Sequence, residues 1–145
     1  MREPALIVCE RSGRWAAAIG RYLPVEIALR QTRSLAECAA ELAAAPESLL
    51  ALELSRQNVM GVLTLLSTLG RRYPSAAALV LAERGWESYE WLLREAGAMH
   101  FTTSPREPDE LVRLAAGHIR RQSAPQQNFA AQIWDALPWS PSPRS

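Results

Sequence analysis

The sequence predicts an α/β protein: a doubly wound, five-stranded parallel sheet with helices on both faces. Three observations carry this. Short apolar segments alternate with segments of helical periodicity five times along the chain. Three of the short segments are apolar at nearly every position, as strands covered on both sides must be. The stretches between them are long enough for helical crossovers, which parallel neighbours require.

Ala5-Leu6-Ile7-Val8-Cys9 is the first buried-type strand. Ser12 to Leu23 carries Trp15, Ile19, Tyr22 and Leu23 at helical spacing, and Pro24 stops it. Val25 to Leu29 alternates apolar and polar residues, which predicts a more exposed strand. Ser34 with Glu37 three residues later is a capping box opening an Ala-rich helix to about Ala45, closed by Pro46. Leu49 to Leu54 is the second buried strand, ending around Glu53 and Ser55. Asn58 is placed to cap a helix that runs through Met60, Leu63, Leu66 and Leu69 to Arg72. Ala76 to Ala82 is the third buried strand. After Gly85, Trp86 to Ala96 reads as a helix terminated by Gly97. Ala98 to Thr103 is a short strand followed by Ser104-Pro105. The last helix runs from about Pro108 to Arg121 with Leu111, Leu114, Ala115 and Ile119 on one face. Asp109 and Glu110 in its first turn, and Arg120 and Arg121 in its last, match the helix dipole.

The 145 residues divide into one domain, 1–122, and a Pro/Ser/Gln-rich tail, 123–145, with a short amphipathic patch at Phe129, Ile133, Trp134 and Leu137. A net charge of +1 supplies no basic field, so neither a nucleic acid nor a membrane surface is the expected partner. No apolar run has the length of a membrane span, and the N-terminus lacks the pattern of a signal peptide; the expected compartment is the cytoplasm. All 16 basic residues are Arg, and the two Asp are Asp109 and Asp135. Chemistry that needs a lysine, or an aspartate in the first hundred residues, is excluded.

Cys9, Cys38, His100 and His118 show none of the spacings of a zinc site, so no metal is expected from them. Cys38 is expected in the core, His100 on a strand and His118 on a helix surface. Ligands of open α/β sheets bind at the carboxyl ends of the strands. Those ends carry Cys9 and Glu10, Glu53 and Ser55, Ala82 and Glu83, and Ser104. The first turn, Arg11-Ser12-Gly13-Arg14, is not a phosphate loop, and no G-x-S-x-G elbow exists. No base is placed beside Cys9 to activate it. Neither an enzyme nor a bound cofactor is expected.

Several landmarks share one arrangement. Cys9-Glu10 follows the first strand, and Glu53 ends the third with Gly61 eight residues on. Ala82-Glu83-Arg84-Gly85 follows the fourth, Ala96-Gly97-Ala98 closes the fourth helix, Phe101 lies four residues past that Gly, and Ser104-Pro105 follows the fifth strand. In this arrangement residues 5–121 resemble the receiver domain of bacterial response regulators. The resemblance implies a flavodoxin-like (βα)5 fold with strand order 2-1-3-4-5. It also implies that the scaffold survives without the phosphoryl chemistry: Glu53 stands where the phospho-acceptor Asp belongs, Ala82 where a hydroxyl belongs, Ser104 where a Lys belongs, and Cys9 where one of two Mg²⁺-binding acids belongs.

The expected function is therefore that of a non-catalytic pseudo-receiver. It would be a phosphorylation-independent module of bacterial signalling that meets a protein partner or a second copy of itself. Its degenerate pocket is Cys9, Glu10, Glu53, Ala82 and Ser104, and its candidate interaction face is Trp86, Tyr89, Trp91 and Phe101. Spacing puts Trp86, Tyr89 and Leu93 on one helix face, which favours core packing for these three. Glu53 reads either as a fixed negative charge or as a solvated relic, and Arg11, Arg56 or Arg84 are placed to pair with it or with Glu10. The alternative function is binding of a small ligand or metal ion by Glu10, Cys9 and Glu53.

Overall fold

Side chains alternate across a strand, so a strand apolar at every position needs cover on both faces. All four residues of β1 (Leu6–Cys9) are buried, as are the first four of β3 (Leu49–Glu53) and the last four of β4 (Ala77–Leu81). A computed structural model describes residues 2–103 and 108–123. Residues 124–145 of the tail and Ser104, named above, lie outside the described residues. β2 (Leu29–Thr32) and β5 (His100–Thr102) complete a parallel sheet of order β2-β1-β3-β4-β5. The three apolar strands are the inner three. The register pairs Leu6 with Leu49, Cys9 with Leu52 and Glu53 with Leu81, so the ends of the inner strands lie side by side.

Alternation divides the core into two layers. Leu6, Val8, Leu49, Ala51, Leu79 and Leu81 pack with α1 (Arg14–Gly20) and α5 (Asp109–Ser123). Ile7, Cys9, Leu50, Leu52, Ala78 and Val80 pack with α2 (Leu35–Ala44), α3 (Val59–Arg72) and α4 (Glu90–Ala96) on the other face. Ser34 caps α2 as its sequence predicts, with its hydroxyl accepting from the Glu37 N–H at 3.1 Å. Gly97, at φ +125°, ends α4 in a backbone conformation that L side chains avoid.

The structure corrects several expectations. The second strand begins at Leu29, where the alternation at Val25–Leu29 had predicted its end. Pro24 starts a turn closed by the Ile27 N–H on its carbonyl at 3.0 Å, which leaves Val25 fully exposed. Tyr22 lies beyond the end of α1 and is exposed. The segment from Trp86 to Ala96 is a 3₁₀ turn at Glu87–Tyr89 followed by the short α4. Met60 is exposed, and Val62, Leu66 and Leu69 form the buried face of α3.

His118, expected on a helix surface, is buried at 5% exposure. Its Nε2 lies 3.0 Å from the Glu47 carbonyl, which only accepts, so this nitrogen carries the proton. The bond fastens α5 to the residues leading into β3. Burial holds the imidazole below the ordinary histidine range, aided by the Arg121 charge and opposed by the hydrogen bond to Glu47. The unfolded chain then binds the proton more tightly. The His118 contribution to stability is complete above about pH 6.5 and is lost as pH falls from there through the folded-state value. Denaturant unfolding at pH points between about 7 and 5 should show falling stability. His118→Gln, which keeps a donor but does not titrate, should flatten that slope.

Candidate functional site

The site forms where the loops after β1, β3 and β4 meet at the carboxyl edge of the sheet. Glu10 follows β1 and is 5% exposed. Its Oε1 accepts the Trp15 N–H at 2.9 Å and its Oε2 the Ala16 N–H at 2.6 Å. These are donors of the first turn of α1, which has no intrahelical partner for them. The N-cap position of α1 is Gly13, at φ +80°, which has no side chain to cap with. Glu10 reaches over from the strand end and does so instead, adding a negative charge where the helix dipole favours one. Each Glu10 oxygen thus accepts one backbone N–H, and the residue also borders the smaller cleft described below.

Glu53 ends β3 half-buried, and its Oε1 accepts the Arg11 N–H at 3.2 Å. Among the described residues none of the guanidinium groups of Arg11, Arg56 and Arg84 is ion-paired with Glu53 or Glu10. The pair formed here is Arg14 with Glu83 at 3.8 Å, both well exposed. Asn58 does not cap α3 through its side chain. Its Oδ1 accepts the Ser55 N–H at 2.8 Å and its Nδ2 donates to the Glu53 carbonyl at 2.7 Å. It thereby fixes the loop that carries Arg56. An Asn three residues beyond a Ser was the visible signal for this, and it fits a cap equally well.

Ala82 follows β4, is buried and presents a methyl group, while its N–H donates to the Thr102 carbonyl at 2.9 Å. Cys9 is buried in the core layer shared with Cys38. The Cys38 thiol beside it holds Cys9 below the usual thiol range, with burial opposing. Cys38 is pushed well up by Cys9 and by its own burial. Among the described residues no three of His, Cys, Asp and Glu converge as a metal site would require.

Two adjoining clefts open at this edge. The smaller, about 440 Å³, is bordered by Cys9, Glu10, Arg33, Glu53, Asn58 and Gly61 among others. The larger, about 700 Å³, lies between the three loops and is bordered by Arg11, Arg14, Arg56 and Arg84, with Glu53 and Glu83. Trp86 and Tyr89 border it as well, their ring centroids 5.3 Å apart and their planes at 54°. Trp86 also packs against the core layer of α2–α4. Tyr89, Trp91 and Leu92 are exposed at 48%, 68% and 38%, whereas Phe101, at 7%, is packed in the core between sheet and helices. Phe101 therefore leaves the candidate interaction face, and Leu92, which sequence reasoning passed over, joins it. Helical spacing shows that one face of α4 is covered; which residues remain outside depends on how short the helix is.

No family model and no curated protein matches the sequence. Solved structures do. A CheY-like protein (tadZ) from Pseudomonas aeruginosa PAO1 is 20% identical with a TM-score of 0.60, over 80% of this chain and 95% of that one. The receiver domain of NtrC4 from Aquifex aeolicus is 13% identical with a TM-score of 0.63, over 83% and 99%. A putative pilus assembly protein (cpaE) from Burkholderia thailandensis E264 is 16% identical with a TM-score of 0.56, over 80% and 99%. These likenesses, with the strand order, establish the receiver-like, flavodoxin-like fold.

Glu10→Gln replaces one acceptor oxygen with a donor facing a donor at the buried start of α1. It should lower stability by about 1–3 kcal/mol in denaturant unfolding. An unchanged midpoint would show that the two N–H groups find other partners.

Proposed function

We propose that this receiver-fold chain is a non-catalytic, phosphorylation-independent interaction module of bacterial signalling, working in the cytoplasm. The observation that carries the reading is the set of residues at the strand ends, with Cys9 and Ala82 buried there and Glu10 bonded to the backbone of α1. Phosphoryl transfer to a side-chain carboxylate needs a divalent cation held by closely placed carboxylates to neutralise the incoming charge. Here one of the two acids is bound to the backbone of α1 and its neighbour is Cys9. Beyond β4, Ala82 supplies no hydroxyl to follow a change of charge at Glu53.

What the fold presents in place of chemistry is the surface of α4 and the turn before it. Tyr89, Trp91 and Leu92 are large apolar groups left in water, and aromatic side chains of this kind are the usual anchors of protein interfaces. We assign this surface to a protein partner or to a second copy of the chain. The description of one fold neighbour as a putative pilus assembly protein fits a receiver fold used for assembly.

Incubation with Mg²⁺ and acetyl phosphate should leave the intact mass unchanged, and addition of one phosphoryl group would sink the reading. Glu53→Asp, which restores the shorter acceptor, should also stay unlabelled, because Glu10 and Ala82 are untouched. For the surface, Trp91→Ala should abolish a cross-linked partner or dimer seen with the wild-type chain while leaving the thermal midpoint within a few degrees. Retention of that cross-link would place the interface elsewhere.

A further inference from the structure

We propose that the larger cleft is a non-covalent binding site for a free nucleoside di- or triphosphate. Its border brings together Arg11 from the loop after β1, Arg14 from the first position of α1, Arg56 from the loop after β3 and Arg84 from the loop after β4. The same border carries two acidic residues, Glu53 and Glu83, so these six residues sum to an excess of two positive charges in a protein whose whole net charge is +1. Among the described residues the guanidinium groups of Arg11, Arg56 and Arg84 form no ion pair; the Arg11 bond to Glu53 is made by its backbone N–H. Arg14 and Glu83 are 3.8 Å apart and well exposed, so solvent screens their attraction.

Guanidinium forks match phosphate oxygens in charge and geometry, and several converging on one opening suit a chain of phosphates better than a single carboxylate. Recognition of this kind needs no glycine-rich loop. The remaining wall is aromatic. Trp86 and Tyr89 offer ring faces for a planar base, and stacking of this sort is tolerant of which base it is. Glu53 only accepts hydrogen bonds, so it suits the hydroxyl or amino groups of a nucleoside and repels its phosphates, which orients the ligand with phosphates toward the arginines. The volume of about 700 Å³ lies within the range of small-ligand sites, roughly 300–1,000 Å³. The Asn58 bonds to Ser55 and Glu53 hold the Arg56 loop in place without a ligand, which limits the ordering cost of binding.

The test is isothermal titration of the full chain in EDTA with ATP, GTP, pyrophosphate and adenosine as separate probes. ATP and GTP should bind with similar affinity, pyrophosphate and adenosine each about tenfold or more weaker, and ATP binding should weaken as salt is raised. The double variant Arg56→Gln, Arg84→Gln alters two exposed side chains and should keep the wild-type thermal midpoint while lowering ATP affinity about tenfold or more. Trp86→Leu should weaken ATP more than pyrophosphate. The proposal is overturned if no probe binds at about millimolar concentration, if the double variant binds ATP as the wild type does, or if pyrophosphate binds as tightly as ATP. Intact mass after titration separates this site from the reading above. A covalently added phosphoryl group would count against phosphorylation independence, whereas absent heat counts against the nucleotide site alone.

Discussion

Burial of the three inner strands on both faces is the constraint on which the rest of the molecule depends. An inner strand with apolar side chains on both sides requires two helical layers, and parallel pairing then places all the strand ends that carry the loops at one edge. In this chain α1 and α5 cover one face and α2, α3 and α4 the other. The polar residues that follow the strands, Glu10, Glu53 and Glu83, have little choice but to gather there. The edge is a consequence of the core, and the chemistry of the edge is decided by which residues occupy it.

At that edge several polar groups serve the backbone. Glu10 closes the open end of α1 that Gly13 leaves uncapped, each of its oxygens accepting one backbone N–H. Glu53 receives the Arg11 backbone, and Ala82 lies in the core. Arginine is the other feature of this edge. With no lysine in the chain, every cation at the cleft is a planar fork suited to bidentate contact, which favours reversible recognition of anions over a single point charge.

Much of the fold was legible because its signals are local. The apolar runs at Leu6–Cys9, Leu49–Leu52 and Ala78–Leu81, the Ser34/Glu37 box and Gly97 each act within a turn or two of chain, and each appears where its sequence places it. The errors fall where a local signal had two solutions. Alternation at Val25–Leu29 suits an edge strand, yet Pro24 turned the chain first. His118 is one polar residue on a helix, and only the arrival of the Glu47 carbonyl across 71 positions of sequence makes its burial tolerable. Phe101 and Trp91 are both aromatic residues near one corner, and the depth of β5 beneath α4 separates them.

The order of elements, the parallel sheet and the apolar strands that demand two helical layers follow from the amino-acid sequence, because periodicity and residue type are properties of neighbours along the chain. Tertiary structure alone decided that Glu10 serves a helix, that Asn58 binds the loop after β3, and that four arginines from three loops surround one cleft beside an aromatic pair. Those outcomes depend on where separate loops meet in space. No local pattern encodes such a meeting, since it is set by how the helices pack against the sheet.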